Sequence, residues 1–185
     1  MATITIEPDE FILVNYGIDE IQTIAQNVAT GIGFPADHPI AIDIEESTPL
    51  MRVELASLTP LRIAVEGGAF EDLKRPRQLS ADRTAAALAC VLFQAHDQLF
   101  GGFADAPATG RTLEQQIAWD VYASGRTDRL LAIPIVKQPR LYAFRNRHGF
   151  SDVSDAAFDR LWNATSLTWA DLCAVCDETT AAKAG

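Results

Sequence analysis

A chain of 185 residues is long enough for one hydrophobic core, and its 48% hydrophobic and 22% charged residues exclude a disordered or fibrous protein. The formal charge of −10 argues against nucleic-acid binding, because phosphate recognition requires a basic face. The longest apolar run, 85–93, is too short to span a membrane, and the first ten residues lack the basic and apolar pattern of a signal peptide, so we expect none. Three cysteines, an odd number, favour free thiols in a reducing compartment, so we expect a cytoplasmic protein without a membrane partner.

Charge is distributed unevenly along the chain. Residues 1–60 carry ten acidic side chains and one basic side chain, Arg52, whereas the segment 129–151 carries five basic residues and no acid. We expect the basic segment to lie against acidic surface from residues 1–60, either within the monomer or across a homodimer interface. Exposed ion pairs contribute only about 0–1 kcal/mol each, so such a contact would serve the specificity of docking more than stability.

The N-terminal third has the pattern of a small sheet and one helix. Two short strands are indicated at 3–7 and 11–16, on either side of Pro8. Apolar residues spaced three and four apart then predict an amphipathic helix over 19–31. Three runs with a period of two follow, at 40–45, 51–55 and 61–66. Because short turns join these runs, they predict an antiparallel meander with one solvated face.

Two longer helices are predicted next. The first covers 80–100, with Ser80 as its cap, and is apolar on more than one side, so we expect it to pack on the sheet as the central core element. The second opens with a capping box of Thr112 and Gln115 and is expected to end near Gly125.

The C-terminal part is predicted to be mostly helical. An interrupted apolar stretch at 130–136 indicates an edge strand or extended loop, and a short strand is indicated at 140–145. Two helices follow over 154–163 and 168–178. The remaining residues, 179–185, read as a frayed tail.

These elements predict an α+β fold. A small, mainly antiparallel sheet from the N-terminal third packs against a long central helix, and the C-terminal half is helical. We expect a single globular domain over 1–178.

The most obvious chemical motif is the C-x-x-C formed by Cys173 and Cys176. Redox motifs of this kind lie where a strand enters a helix, whereas this pair lies inside a helix that follows another helix. A zinc site would need two further ligands, and the sequence has no second C-x-x-C and no paired histidines. We therefore predict two reduced, mostly buried core thiols, and neither a metal nor a cofactor.

Two other motifs are weaker. His96 and Asp97 are adjacent on a helix, where side chains point about 100° apart and cannot orient each other as an acid/base pair. Gly67 and Gly68 follow a strand, but the segment lacks the lysine and the spacing of a phosphate-binding loop. We interpret these glycines as a strand exit.

The candidate anion site is formed by basic residues of the segment 129–151, which carries no acid. Guanidinium groups pair bidentately with carboxylate or phosphate, although arginines in loops are more often solvated or engaged in ion pairs within the fold. The candidate residues are Arg140, Arg145, Arg147 and His148. The cluster at 74–78 is a weaker candidate of the same kind.

The sequence leaves two functions open. No serine, cysteine or lysine lies in a recognisable nucleophile motif, which favours a non-catalytic binding or protein-interaction module, with an unknown protein or a small anionic ligand as its partner. The alternative is an enzyme acting on a small anionic substrate near Arg145, Arg147 and His148. Glu66 or Glu71 would complete that site.

Overall fold

The computed structural model describes residues 2–184, and its helices and strands confirm the predicted α+β class. The strands are β1 (Thr3–Glu7), β2 (Pro39–Glu45), β3 (Val53–Leu58), β4 (Leu61–Glu66), β5 (Glu71–Asp72) and β6 (Arg75–Leu79). The helices are α1 (Ile18–Ile32), α2 (Ala81–Leu99), α3 (Leu113–Leu130), α4 (Lys137–His148), α5 (Asp152–Asn163) and α6 (Trp169–Ala184). No helix in this part of the chain is both long and apolar enough to cross a bilayer.

The chain forms two compact units, Met1–Ala95 and His96–Gly185. The N-terminal unit holds the strands and α1, the C-terminal unit holds α3 to α6, and α2 contributes residues to both. The expectation of one domain over 1–178 stays a prediction.

The main sheet is mixed, with strand order β1-β2-β4-β3. β2 runs parallel to both β1 and β4, and only β3 and β4 pair antiparallel. The predicted meander is therefore wrong, and the sheet is not mainly antiparallel, because β4 lies between β2 and β3. Burial explains this order, since Ile42 and Ile63 at the centre are fully buried, whereas β3 carries the exposed Glu54 that suits an edge strand.

One face of this sheet is apolar and the other is charged. Alternation along the strands directs Ile4, Ile40 and Ile63 into the core. The side chain of Gln22 on α1 donates a hydrogen bond to the carbonyl of Ile4 at 2.9 Å, which ties that helix to β1. The opposite face presents Arg62 among acidic side chains.

The region around the sheet corrects two expectations. Residues 11–16 form no strand beyond a single bridge between Asn15 and Gln78. The basic cluster at 74–78, expected to be a loop, lies largely in β6 and pairs with β5. Arg75 forms an ion pair with Asp72 at 2.8 Å, so the charge of Arg75 is neutralised by a carboxylate of the neighbouring strand β5.

The helices α3 to α6 enclose an aromatic core of their own. The ring of Phe103 stacks on Trp119 with centroids 4.8 Å apart and on Tyr122 at 5.9 Å. The capping box of Thr112 and Gln115 is confirmed, with both reciprocal hydrogen bonds present. The predicted end near Gly125 is wrong, because the helix continues to Leu130 with that glycine buried inside it.

The segment predicted as a strand at 140–145 is instead part of α4. Its only buried side chains are those of Phe144 and His148, so the sequence lacks the apolar stripe that reveals a helix. Pro139 is tolerated because it lies in the first turn, where backbone N–H groups have no partner within the helix.

The predicted tail at 179–185 is also wrong over its described part, because α6 continues to Ala184. Thr179 is fully buried, and its hydroxyl lies 2.9 Å from the carbonyl oxygen of Cys176. Gly185 lies outside the described residues.

Candidate functional site

The residues of the predicted anion site all lie on α4, but two of them are already engaged within the fold. The guanidinium of Arg145 binds both carboxylate oxygens of Asp155, with Nε 2.7 Å from Oδ1. This contact holds the pKa of the Asp155 carboxyl below its ordinary value. This bidentate pair makes Arg145 a structural residue that joins α4 to α5.

His148 points into the core rather than toward solvent. Its exposed fraction is 2%, and its ring stacks on Phe144 with centroids 3.9 Å apart. Nε2 lies 3.1 Å from the carbonyl oxygen of Glu114, and Nδ1 lies 2.7 Å from the hydroxyl of Thr179. A carbonyl only accepts, so the neutral ring donates from Nε2 and accepts at Nδ1 from Thr179. Both nitrogens are thus used to pin α4 to α3 and α6.

This burial has a consequence for pH dependence. Burial lowers the pKa of His148 below its ordinary value, and the neighbouring Glu114 only partly opposes the shift. As pH falls through the ordinary histidine range, the unfolded chain therefore takes up the proton first, and the free energy of unfolding decreases.

The test compares the wild type with His148→Gln, whose amide keeps a donor for the Glu114 carbonyl but does not titrate. Urea unfolding measured from about pH 7.5 down to about pH 5.5 should show a shallower loss of stability in the variant. An identical slope for both proteins would show that His148 does not contribute to the acid sensitivity.

Arg140 and Arg147 remain as the cations of α4 that form no ion pair with any described residue. Arg147 is exposed and Arg140 half-buried. The ring of Tyr142, on the same helix, contacts the ring of Phe150 edge to face, with centroids 6.2 Å apart. Both side chains are exposed, Tyr142 to 60% and Phe150 to 67%. The solvent side of α4 with Phe150, named here the α4 face, thus presents two cations and an aromatic pair.

A cleft of about 530 Å³ lies in the N-terminal unit, at the carboxyl ends of the parallel strands. Ligands of open parallel sheets bind outside these ends. Five carboxylates and one guanidinium line this cleft, which we call the acidic cleft. They belong to Glu7, Asp43, Glu45, Glu54, Glu66 and Arg52. The local potential is therefore negative, and the cleft suits a cationic group.

The carboxylates of the acidic cleft differ in how they are held. Arg62 binds both oxygens of Asp43, at 2.7 and 3.0 Å, and reaches Glu7 at 3.4 Å. Ser47 donates two hydrogen bonds to Glu45, which lowers the pKa of that carboxyl. Oε2 of Glu66 is buried and has no hydrogen-bond partner among the described residues.

Loops that follow β1 and β2 carry large apolar side chains into solvent, and Arg52, the residue after Met51, lines the acidic cleft. Ile12 is 85% exposed and Met51 65%, with Leu13 and Leu50 also exposed. The carboxylate of Glu46 accepts hydrogen bonds from the backbone N–H groups of Ile12 and Leu13, which joins the two loops. We call these four apolar residues together with the acidic cleft the carboxyl-edge surface.

Gly67 and Gly68, at the end of β4, hold these loops in place. Tyr16 donates a hydrogen bond to the Gly67 carbonyl at 2.7 Å, and burial raises the pKa of that phenol to about 12. A Cβ on Gly68 would lie 2.0 Å from the carbonyl oxygen of Pro49, so only glycine lets the second loop pass. Gly67 and Gly68 therefore fix the positions of the loops that follow β1 and β2.

The cysteines of the C-x-x-C are free thiols, with Cys176 buried and Cys173 half-buried. Burial raises the pKa of Cys176 to about 12 and also raises that of Cys173. Both thiols are protonated at neutral pH, and a thiol is a poor nucleophile compared with a thiolate. No group of three or more metal-ligating side chains in the described chain is arranged to hold a metal ion.

Sequence reasoning placed the candidate site in the acid-free segment and missed the carboxyl-edge surface. The available signal was the pair Asp43 and Glu45 on the polar side of a strand, followed by apolar residues in loops at 12–13 and 50–51. Parallel pairing of β1, β2 and β4 brings these features to one edge, and the sequence pattern predicted antiparallel pairing.

Compared with protein-family models, with curated proteins and with solved structures, the chain has no significant match to any of them.

Proposed function

We propose that this chain is a non-catalytic protein-interaction module whose binding site is the carboxyl-edge surface. The observation that carries the proposal is the exposure of Ile12, Leu13, Leu50 and Met51 together beside an acidic cleft. Scattered exposed apolar residues are ordinary, but four on two joined loops form a patch, and such patches mark interaction sites.

The chemistry of the surface selects the kind of partner. Apolar side chains contribute affinity by leaving water, and carboxylates orient an approaching cation and discriminate against acidic partners. A partner segment with both apolar and basic residues satisfies both parts. Arg52 and Arg62 neutralise only part of the acidic face, so a cation from the partner meets a net negative surface.

The alternative enzyme gains no support from α4. Arg145 already pairs with Asp155, and both nitrogens of His148 have partners inside the fold, so His148 is not available to protonate a substrate in this geometry. Arg140 and Arg147 alone offer charge without an acid or base.

A binding assay with defined peptides tests the proposal. The probe is a fluorescently labelled synthetic peptide with lysine and leucine at helical spacing, and the control peptide has glutamate in place of lysine. Fluorescence anisotropy should show tighter binding of the basic peptide, weakening as salt is added. The double variant Ile12→Ser with Met51→Ser should bind about tenfold more weakly, since truncated apolar anchors lose most of their contact.

The matched control is Leu113→Ser with Leu130→Ser, which removes two exposed apolar side chains from the C-terminal unit. This variant should bind like the wild type. Equal affinity for the basic and acidic peptides, or equal loss in both double variants, would overturn the proposed function.

A further inference from the structure

We infer that the partner of the carboxyl-edge surface is a second copy of this chain, which presents its α4 face. This inference rests on the proposed function, because it names the occupant of the same surface. The contact is therefore between the N-terminal unit of one copy and α4 of another copy.

Charge is the first argument. Residues 1–60 carry ten acids against one base, and 129–151 carries five bases and no acid. Lys137 and Arg145 are neutralised by carboxylates of α5, and Arg129 donates to the carbonyl of Ala164. That leaves Arg140 and Arg147 outside the ion pairs of the described chain, and Arg147 has only the longer-range attraction of Glu114.

Geometry on the α4 face is the second argument. Arg140 and Arg147 are seven residues apart, so they lie along one line of the helix, separated by about 10 Å. Tyr142 and Phe150 lie on the other flank of the exposed half and contact each other. Arginine and tyrosine are the residues most enriched at protein interfaces, because each combines a large contact area with directed polar groups.

The α4 face and the carboxyl-edge surface complement each other in two respects. The guanidinium groups match a cleft that is lined by five carboxylates, of which Glu45 is exposed to solvent. The aromatic pair matches the exposed aliphatic side chains of Ile12 and Met51. Because the two surfaces differ, the contact is heterologous, and it closes a dimer only when each copy uses both surfaces.

Sedimentation velocity of the full chain tests the inference. The wild type should associate as concentration rises, and added salt should weaken the association, since the contact joins charged exposed surfaces. Arg140→Glu with Arg147→Glu should weaken self-association at least about tenfold, and so should Glu7→Lys with Glu45→Lys. Mixing these two double variants should restore association, because each still offers one unaltered surface and the altered surfaces are now complementary.

The control is Lys74→Glu with Arg160→Glu, which changes the net charge by the same amount as the α4 variant at exposed sites elsewhere. It should associate like the wild type. Circular dichroism and urea unfolding of every variant separate loss of contact from loss of fold.

These experiments test the second copy as partner separately from the proposed protein-interaction module. A chain that stays monomeric at all concentrations but still binds the basic peptide overturns the second copy as partner and leaves the interaction module standing. Self-association that survives Arg140→Glu with Arg147→Glu overturns the inference as well. A monomer that also fails to distinguish the peptides overturns both.

Discussion

Asp97→Asn should lower the free energy of unfolding by about 3–5 kcal/mol, the usual cost of leaving a buried charge without its partner. The carboxylate of Asp97 accepts two hydrogen bonds from Arg126, at 2.6 and 2.7 Å, and one from Nε1 of Trp119 at 2.9 Å. Asp97 and Arg126 are 4% and 5% exposed, and the guanidinium lies over the ring of Tyr122 at 3.7 Å. Asparagine keeps the shape but removes the charge, so Arg126 would remain buried without the carboxylate that binds it here.

Urea unfolding followed by circular dichroism measures this cost. The control is Glu178→Gln, which removes an exposed ion pair with Arg160 and should change stability by no more than about 1 kcal/mol. A loss below about 1 kcal/mol for Asp97→Asn would mean that solvent reaches the pair.

A second variant separates the pair from the packing around it. Arg126→Met combined with Asp97→Asn also removes the buried guanidinium, so the double variant should be more stable than Asp97→Asn alone. If the double variant is the less stable of the two, the contacts of the Arg126 side chain, including the one with the Tyr122 ring, stabilise the fold more than its buried charge destabilises Asp97→Asn.

This buried pair also shows what the sequence was able to predict. The pattern placed Asp97 on a helix, which the structure confirms, and set aside an acid/base role with its neighbour His96, since adjacent residues diverge. It gave no sign of Arg126, which lies on another helix in the described chain. Local periodicity predicts which side of a helix is buried, whereas the partner of a buried charge depends on how separate helices pack.

The sheet shows the same limit. Alternation in β2, β3 and β4 predicted correctly which residues lie on the polar side, such as Asp43 and Arg62. It did not predict that β4 lies between the other two, because a period of two carries no information about neighbours. The candidate site was missed for this reason, since only the parallel arrangement brings the loops after β1 and β2 together.

The α4 segment was misread for a different reason. With only Phe144 and His148 buried, it has no helical stripe, and its regular structure depends on contacts with α3 and α5. Arg145 and His148, expected at an anion site, supply two of those contacts. These two residues were interpreted as functional, although an ion pair and hydrogen bonds within the fold fix their positions.

Gly125→Ala should destabilise the protein by about 1–3 kcal/mol, the range for overpacking a close-packed contact. The direction of this change is informative, because replacing glycine with alanine inside a helix ordinarily stabilises the helix by about 0.5–1 kcal/mol. Here the added Cβ would lie 2.1 Å from the carbonyl oxygen of Trp162 and 2.8 Å from its carbon. Both atoms are backbone, so α3 and α5 must separate to admit one methyl group.

The matched control for Gly125→Ala is Gln116→Ala, an exposed position on the same helix. It should change the unfolding free energy by no more than about 0.5 kcal/mol. The change in unfolding free energy of both variants is measured from their urea unfolding midpoints, provided that the dependence of the free energy on urea concentration is unchanged. Separation of α3 from α5 also moves Arg129, which donates from α3 to the carbonyl of Ala164 at 2.7 Å, so the variant loses a hydrogen bond together with the close packing. A stabilised Gly125→Ala would show that the two helices lie farther apart than this contact requires.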